Sequence, residues 1–251
     1  RAGQKAGTDS AASIHDRVVF KQEGLDQLLQ YDSYRRKSLV DHFWDNEISL
    51  EQIVKGDALE RGDFATGVYE TQIRRGEDRV QVHMTRAGNA WGIPITIIKA
   101  VTMTSGSDVL EVAYMLEGLP QDRDLHFAVE WNFAGLPAGA DDRYFHQLDG
   151  TRLGQLGQQL DLHGIEGLGL TDQWLGIDVR LQADRPTSVW THPIATVSQS
   201  EGGFEGVHQS VVVMPHWIVT GDANGRWSVR FQLACDTSQA RSRMKDAALH
   251  S

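Results

Sequence analysis

From about residue 65 the chain alternates. DLHFAVEWNF (124–133) puts Leu125, Phe127, Val129, Trp131 and Phe133 on one face, and His126, Ala128, Glu130 and Asn132 on the other. That is the period-two signature of a strand. QWLGIDVRLQ (173–182) repeats it, with Leu175, Ile177, Val179 and Leu181 opposite Trp174, Asp178, Arg180 and Gln182. ATGVYETQI and DRVQVHMTRAG flank RRGE and read as a hairpin. WGIPITIIKAVTMTSG and DVLEVAYMLEGLP are β-branched and aromatic runs that end on turn residues. TSVWTHPIATVSQS, GVHQSVVVMPHWIVTG and RWSVRFQLAC add long strands, with DANG turning the last pair. The glycine-dense interval 150–170 reads as a long loop with a short strand or two.

Helical pattern is scarce. QEGLDQLLQ places Leu25, Leu28 and Leu29 on one face, and SLEQIVKG offers Ser49 as an N-cap with Gln52 three residues on. Long strands without intervening helices predict an all-β fold: a large twisted antiparallel β-sandwich with one or two short helices near the N-terminus. The 251 residues suit one domain. The expected boundaries are a linker or expression remnant over 1–12, the sandwich over 13–236, and a polar C-terminal tail over 237–251. RAGQKAGTDSAAS, without an initiating Met, suggests a piece of a longer polypeptide.

Composition narrows the function. Acidic residues outnumber basic ones by 34 to 24, for a net charge of −10, which argues against nucleic acid as a partner. The apolar stretch around WGIPITIIKAV is too short for a bilayer and contains Lys99, so no membrane partner is expected. The single Cys235 rules out an internal disulfide framework and fits a reducing, cytoplasmic setting.

No nucleotide-binding glycine motif, metal-binding histidine pair or G-x-S-x-G elbow is present. The polar strand faces are the remaining candidates. His126, Glu130, Asn132, Trp174, Asp178, Arg180, Trp190 and His192 are the residue types of a carbohydrate-facing surface. Indoles stack on sugar rings, while amides, carboxylates and guanidinium groups bond hydroxyls. A solvated face with cross-strand pairs explains the same pattern. Glu130 and Asp178 would need a set separation to act on a glycosidic bond, so no catalytic residue is assigned. No cofactor is expected, though Glu130 with Asn132 would suit a hard cation such as calcium.

YDSYRRKSLVDHF (31–43) sets Asp41 beside His42, but neighbours on a strand face opposite ways and form no dyad. Taken in order, SIHDRVVFKQEGL, YDSYRRKSLVDHF, ERGDF (60–64), VEWNF and TVSQSEGGFEGVHQS resemble the C-terminal β-sandwich region of glycoside hydrolase family 57 enzymes, of the α-amylase and 4-α-glucanotransferase type. The resemblance implies a galactose mutarotase-like sandwich. It also implies that the chemistry, a Glu nucleophile and an Asp acid/base, belongs to an upstream catalytic barrel of the same polypeptide. This chain would then be a non-catalytic accessory domain, with that barrel and α-glucan as partners. Tyr34, Arg35, Arg36, Asp41 and His42 become candidates for interdomain contact. The alternatives are an aldose 1-epimerase-like enzyme using His126, His192 and Glu130, and a free-standing carbohydrate-binding module.

Overall fold

The computed structural model describes residues 34–136, 138–200 and 203–249. The segments expected as linker (1–12) and as the helix QEGLDQLLQ lie outside the described residues, as do Glu201 and Gly202 of the SEGGFEG motif. Two compact units are distinguished: Tyr31–Ile194 with His208–Ser251, and Arg1–Gln30 with Ala195–Val207.

The elements in chain order are β1 (Val40–Trp44), α1 (Leu50–Val54), β2 (Glu70–Arg75), β3 (Arg79–Ala90), β4 (Ile93–Thr104), β5 (Val109–Glu117) and β6 (Leu125–Ala134). They continue with β7 (Arg143–His146), β8 (Arg152–Gln155), β9 (Leu160–Asp172), β10 (Ile177–Ser200), β11 (Gly203–Val219), β12 (Arg226–Asp236) and α2 (Ser238–Leu249). The strands run in the order β1-β6-β11-β10-β12-β5-β4-β3-β2, with β9, β7 and β8 branching from β10. The register between β10 and β9 shifts between Gln182 and Val189, so β10 bends, and it has both β11 and β12 as neighbours. One layer is β1, β6 and β11; the other runs from β12 to β2.

Their inner faces meet as period-two patterning requires. Phe127, Val129 and Trp131 of β6 share a core with Val112, Tyr114 and Leu116 of β5 and with Val229 and Phe231 of β12. Trp131 meets Phe231 at 5.6 Å and Tyr114 meets Phe127 at 6.2 Å between ring centroids. Each such large side chain contributes about 1.5–3 kcal/mol relative to leaving it in water.

The expected hairpin over RRGE is present, with Arg75 paired to Val80. So is the capping box, in which Ser49 accepts from the Gln52 backbone while the Gln52 side chain accepts from Ser49. The turn between β3 and β4 has positive φ at both Trp91 (57°) and Gly92 (78°), as a two-residue primed turn needs. The guanidinium groups of Arg61 and Arg123 lie over the Trp91 ring at 4.5 and 4.9 Å.

Three expectations are corrected. DANG joins β11 to β12 without pairing them, because the chain crosses there between layers; Trp217 and Trp227 face each other across the core at 5.1 Å. The glycine-dense interval is mostly strand, β8 and the 13-residue β9. Two of its glycines serve close approach, since a Cβ on Gly169 would lie 2.0 Å from the His146 ring and one on Gly167 would lie 2.7 Å from the Leu181 carbonyl. The segment after Asp236, expected as a tail, forms α2.

Candidate functional site

The β6 face expected to meet solvent is covered. Antiparallel pairing of β1 with β6 matches Val40 to Glu130 and His42 to Ala128, placing His42 and Glu130 diagonally on the outer face. Both are buried, at 1% and 0% exposure. Beside them Trp44, Leu50 of α1, Ala128, Trp190, Val212 and Met214 form a second apolar cluster. Parity places these residues on one face; what covers that face comes from distant segments.

Every Glu130 oxygen is engaged. Tyr34 donates to Oε2 at 2.5 Å, Asn132 Nδ2 donates to Oε1 at 2.5 Å, and Arg36 reaches Oε1 at 3.4 Å. His42 Nε2 lies 3.4 Å from Oε2, while its Nδ1 bonds Glu60 Oε2 at 2.7 Å. The second Glu60 oxygen accepts the backbone N–H groups of Phe43 (2.8 Å) and Gly62 (3.1 Å).

Burial pushes the Glu130 carboxyl up, but His42, Arg36 and Tyr34 outweigh it and hold it at about 2. Burial likewise pushes His42 down, yet Glu130 and Glu60 raise it to about 9. Near neutrality this is an imidazolium between two carboxylates. A carboxylate so held has neither a free lone pair nor solvent access, and is a poor general base.

The other β1 face carries a second buried pair. Lys99 Nζ sits 2.6 Å from Asp41 Oδ2 and 2.7 Å from the Leu39 carbonyl. Tyr69 donates to the same Asp41 oxygen. Burial, then the Asp41 charge, drives the phenols of Tyr69 and Tyr114 upward, so both stay neutral.

Further along β6, the Asp45 carbonyl can only accept, so His126 carries its proton on Nδ1 (3.2 Å) and its Nε2 accepts from His216 Nδ1 (2.9 Å). Burial lowers both histidines, His216 to about 3, with His126 and His163 adding to the shift on His216. Trp190 stacks on His216 at 3.7 Å and donates to Asp161 at 2.9 Å.

The structure separates the expected carbohydrate-facing residues. His126, Glu130, Trp190 and His192 are buried. Asp178 accepts from Thr171 (2.7 Å) and Arg180 (2.7 Å) and bonds His146 (2.8 Å). Trp174 lies in the turn before β10, 68% exposed. Asn132 is bonded to Glu130 and to the Lys37 carbonyl (2.9 Å), and among the described residues no three His, Cys, Asp or Glu are grouped to hold a metal.

The expected docking residues also turn inward: Tyr34 and Arg36 onto Glu130, Asp41 onto Lys99, His42 onto Glu60 and Glu130, leaving Arg35 exposed. Glu60, Tyr69, Lys99, His146 and His216 escaped sequence reading. Two had a signal: Glu60 in the quoted ERGDF, and Lys99 as the charge inside the apolar run WGIPITIIKAV. Three quoted segments, YDSYRRKSLVDHF, ERGDF and VEWNF, converge on this one network.

The family profile described as alpha-amylase/4-alpha-glucanotransferase, C-terminal, matches residues 1–231, and the chain belongs to that family. Alpha-amylase 1 of Dictyoglomus thermophilum is 27% identical over 87% of this chain and 31% of its own length. The 4-alpha-glucanotransferase of Thermococcus kodakarensis is 26% identical over 92% and 31%. The chain thus spans about a third of the relatives it matches. The crystal structure of the 4-alpha-glucanotransferase from Thermococcus litoralis shares the fold, with a TM-score of 0.63 and 22% identity over 88% of this chain and 30% of that one. Among the described residues no helix is long and apolar enough to cross a membrane.

Proposed function

We propose that this chain is the non-catalytic accessory domain of an α-glucan-processing enzyme of the family 57 type, supporting a catalytic barrel of the same polypeptide in the cytoplasm. The observation that carries the non-catalytic reading is Glu130: fully buried, held ionised, with both oxygens bonded within the chain. The exposed, unpaired Cys235 fits a reducing compartment. Epimerase chemistry is disfavoured by spacing, since His126 and Glu130 are separated along one strand by roughly 13 Å. His126 is also tied to His216 rather than to Glu130.

The test compares this chain alone with the whole polypeptide, intact and with this region deleted. The chain alone is expected to give background rates of maltoheptaose cleavage, glucan transfer and glucose mutarotation, and the deletion to lower the melting temperature of the catalytic part. Turnover by the chain alone in any of the three assays overturns the proposal.

A further inference from the structure

The face of the β12–β2 layer turned away from the core carries a groove of about 500 Å³. A cross-strand row of polar residues runs along it. Gln81 of β3 pairs with Thr102 of β4, Thr102 with Glu111 of β5, Glu111 with Gln232 of β12, and Gln232 with Gln182 of β10. At about 4.8 Å per strand the row runs roughly 19 Å across the sheet. The adjoining row is cut down to alanine at Ala100 and Ala113, which are paired and form the floor of the groove. Arg230 and Asp184 stand at its side.

The groove is open and unspent. Glu111, Gln182, Arg230 and Gln232 are exposed. Gln81 donates to Thr102 at 3.0 Å, but among the described residues the side chains of Glu111, Gln182 and Gln232 make no hydrogen bond or ion pair. Each free amide offers a donor and an acceptor in one plane, the complement of a hydroxyl that does both. Glu111 and Asp184 against Arg230 leave the groove one negative charge, so it disfavours phosphate. Its volume is that of small-molecule sites, about 300–1,000 Å³.

We propose that this row is an oligosaccharide subsite that holds a linear α-glucan across the strands. The reading of the chain as part of an α-glucan enzyme supplies the identity of the sugar; the groove stands on its own geometry. The sequence-based candidates lay on both β6 and the polar side of QWLGIDVRLQ; of that second set it is Gln182, two residues beyond Arg180, that lines the groove.

Calorimetric titration of the 251-residue chain with maltoheptaose tests it. The wild type is expected to bind. Gln182→Ala with Gln232→Ala should weaken binding about tenfold, two lost hydrogen bonds. Ala113→Phe, which fills the floor at an exposed position, should abolish it, and Trp174→Ala should leave it within about twofold; far-ultraviolet circular dichroism checks that all variants fold. No binding by the wild type, or binding indifferent to both groove variants, overturns the subsite. Such a failure leaves the accessory-domain proposal standing, since that rests on the activity and deletion assays. Turnover by the chain alone would overturn that proposal and leave the groove.

Discussion

His42 Nε2 lies 3.4 Å from Glu130 Oε2, in a place where neither side chain reaches solvent. An imidazolium in such a position is worth its desolvation because Glu130 and Glu60 both stabilise its charge, Glu60 through the other ring nitrogen. The pair therefore ties β1, the ERGDF loop and β6 together, and removing one member strands the other's charge. His42→Gln or Glu130→Gln should each cost about 3–5 kcal/mol in urea unfolding, and the double variant less than the sum of the two. Additive costs would show that the two do not act as a pair.

The same pair sets an alkaline limit. The folded pKa of His42 is raised from 6.5 to about 9, so its stabilisation is complete below 6.5 and is lost as pH rises through 9. Glu130 is lowered from 4.5 to about 2, so its share is complete above 4.5 and is lost as pH falls toward 2. Urea midpoints measured from pH 6 to 10 should decline by about 3 kcal/mol equivalent, and His42→Gln should flatten that decline.

His216 adds a second, earlier contribution on the acid side. Its folded pKa lies near 3 against 6.5 unfolded, so the unfolded chain binds the extra proton and stability falls between pH 6.5 and 3. His216→Phe, which keeps a ring against Trp190, is expected to lower stability at pH 7 but to flatten the acid limb. An unchanged slope over that window would assign the acid sensitivity elsewhere.

Lys99 and Asp41 form the corresponding pair inside the core. Lys99→Met leaves the Asp41 carboxylate buried against Tyr69 and should cost about 3–5 kcal/mol. Adding Asp41→Asn should recover part of that loss; chemical denaturation of the single and double variants reads it directly.

Gly169→Ala would drive a methyl into the His146 ring, which must then give up its 2.8 Å bond to Asp178. A loss of about 1–3 kcal/mol is expected, and with His146→Ala already present the same change should cost clearly less in a thermal melt.

Face membership was legible in the sequence, and environment was not. The alternation of 124–133 assigns His126, Glu130 and Asn132 to one face correctly, and Ser49 with Gln52 forms the capping box its spacing implies. Alternation says nothing about what lies on top of a face. Glu130 is covered by Tyr34 and Arg36, 96 and 94 residues away in sequence, and by His42, which the strand pairing brings across. Glycine density misled for a related reason: Gly167 and Gly169 yield to neighbouring atoms inside a strand, where composition alone suggests a loop. The groove row is built by register across β3, β4, β5, β12 and β10, which no local pattern encodes.

The most direct measurement places Glu130→Gln in the whole polypeptide and follows α-glucan turnover per folded molecule alongside the melting temperature. A supporting role predicts kcat/KM within about twofold of wild type and a clearly lowered melting temperature, since the lost charge pair matters to folding. A fall in kcat/KM of about a hundredfold or more with the melting temperature unchanged, as loss of an acid/base group produces, would contradict it.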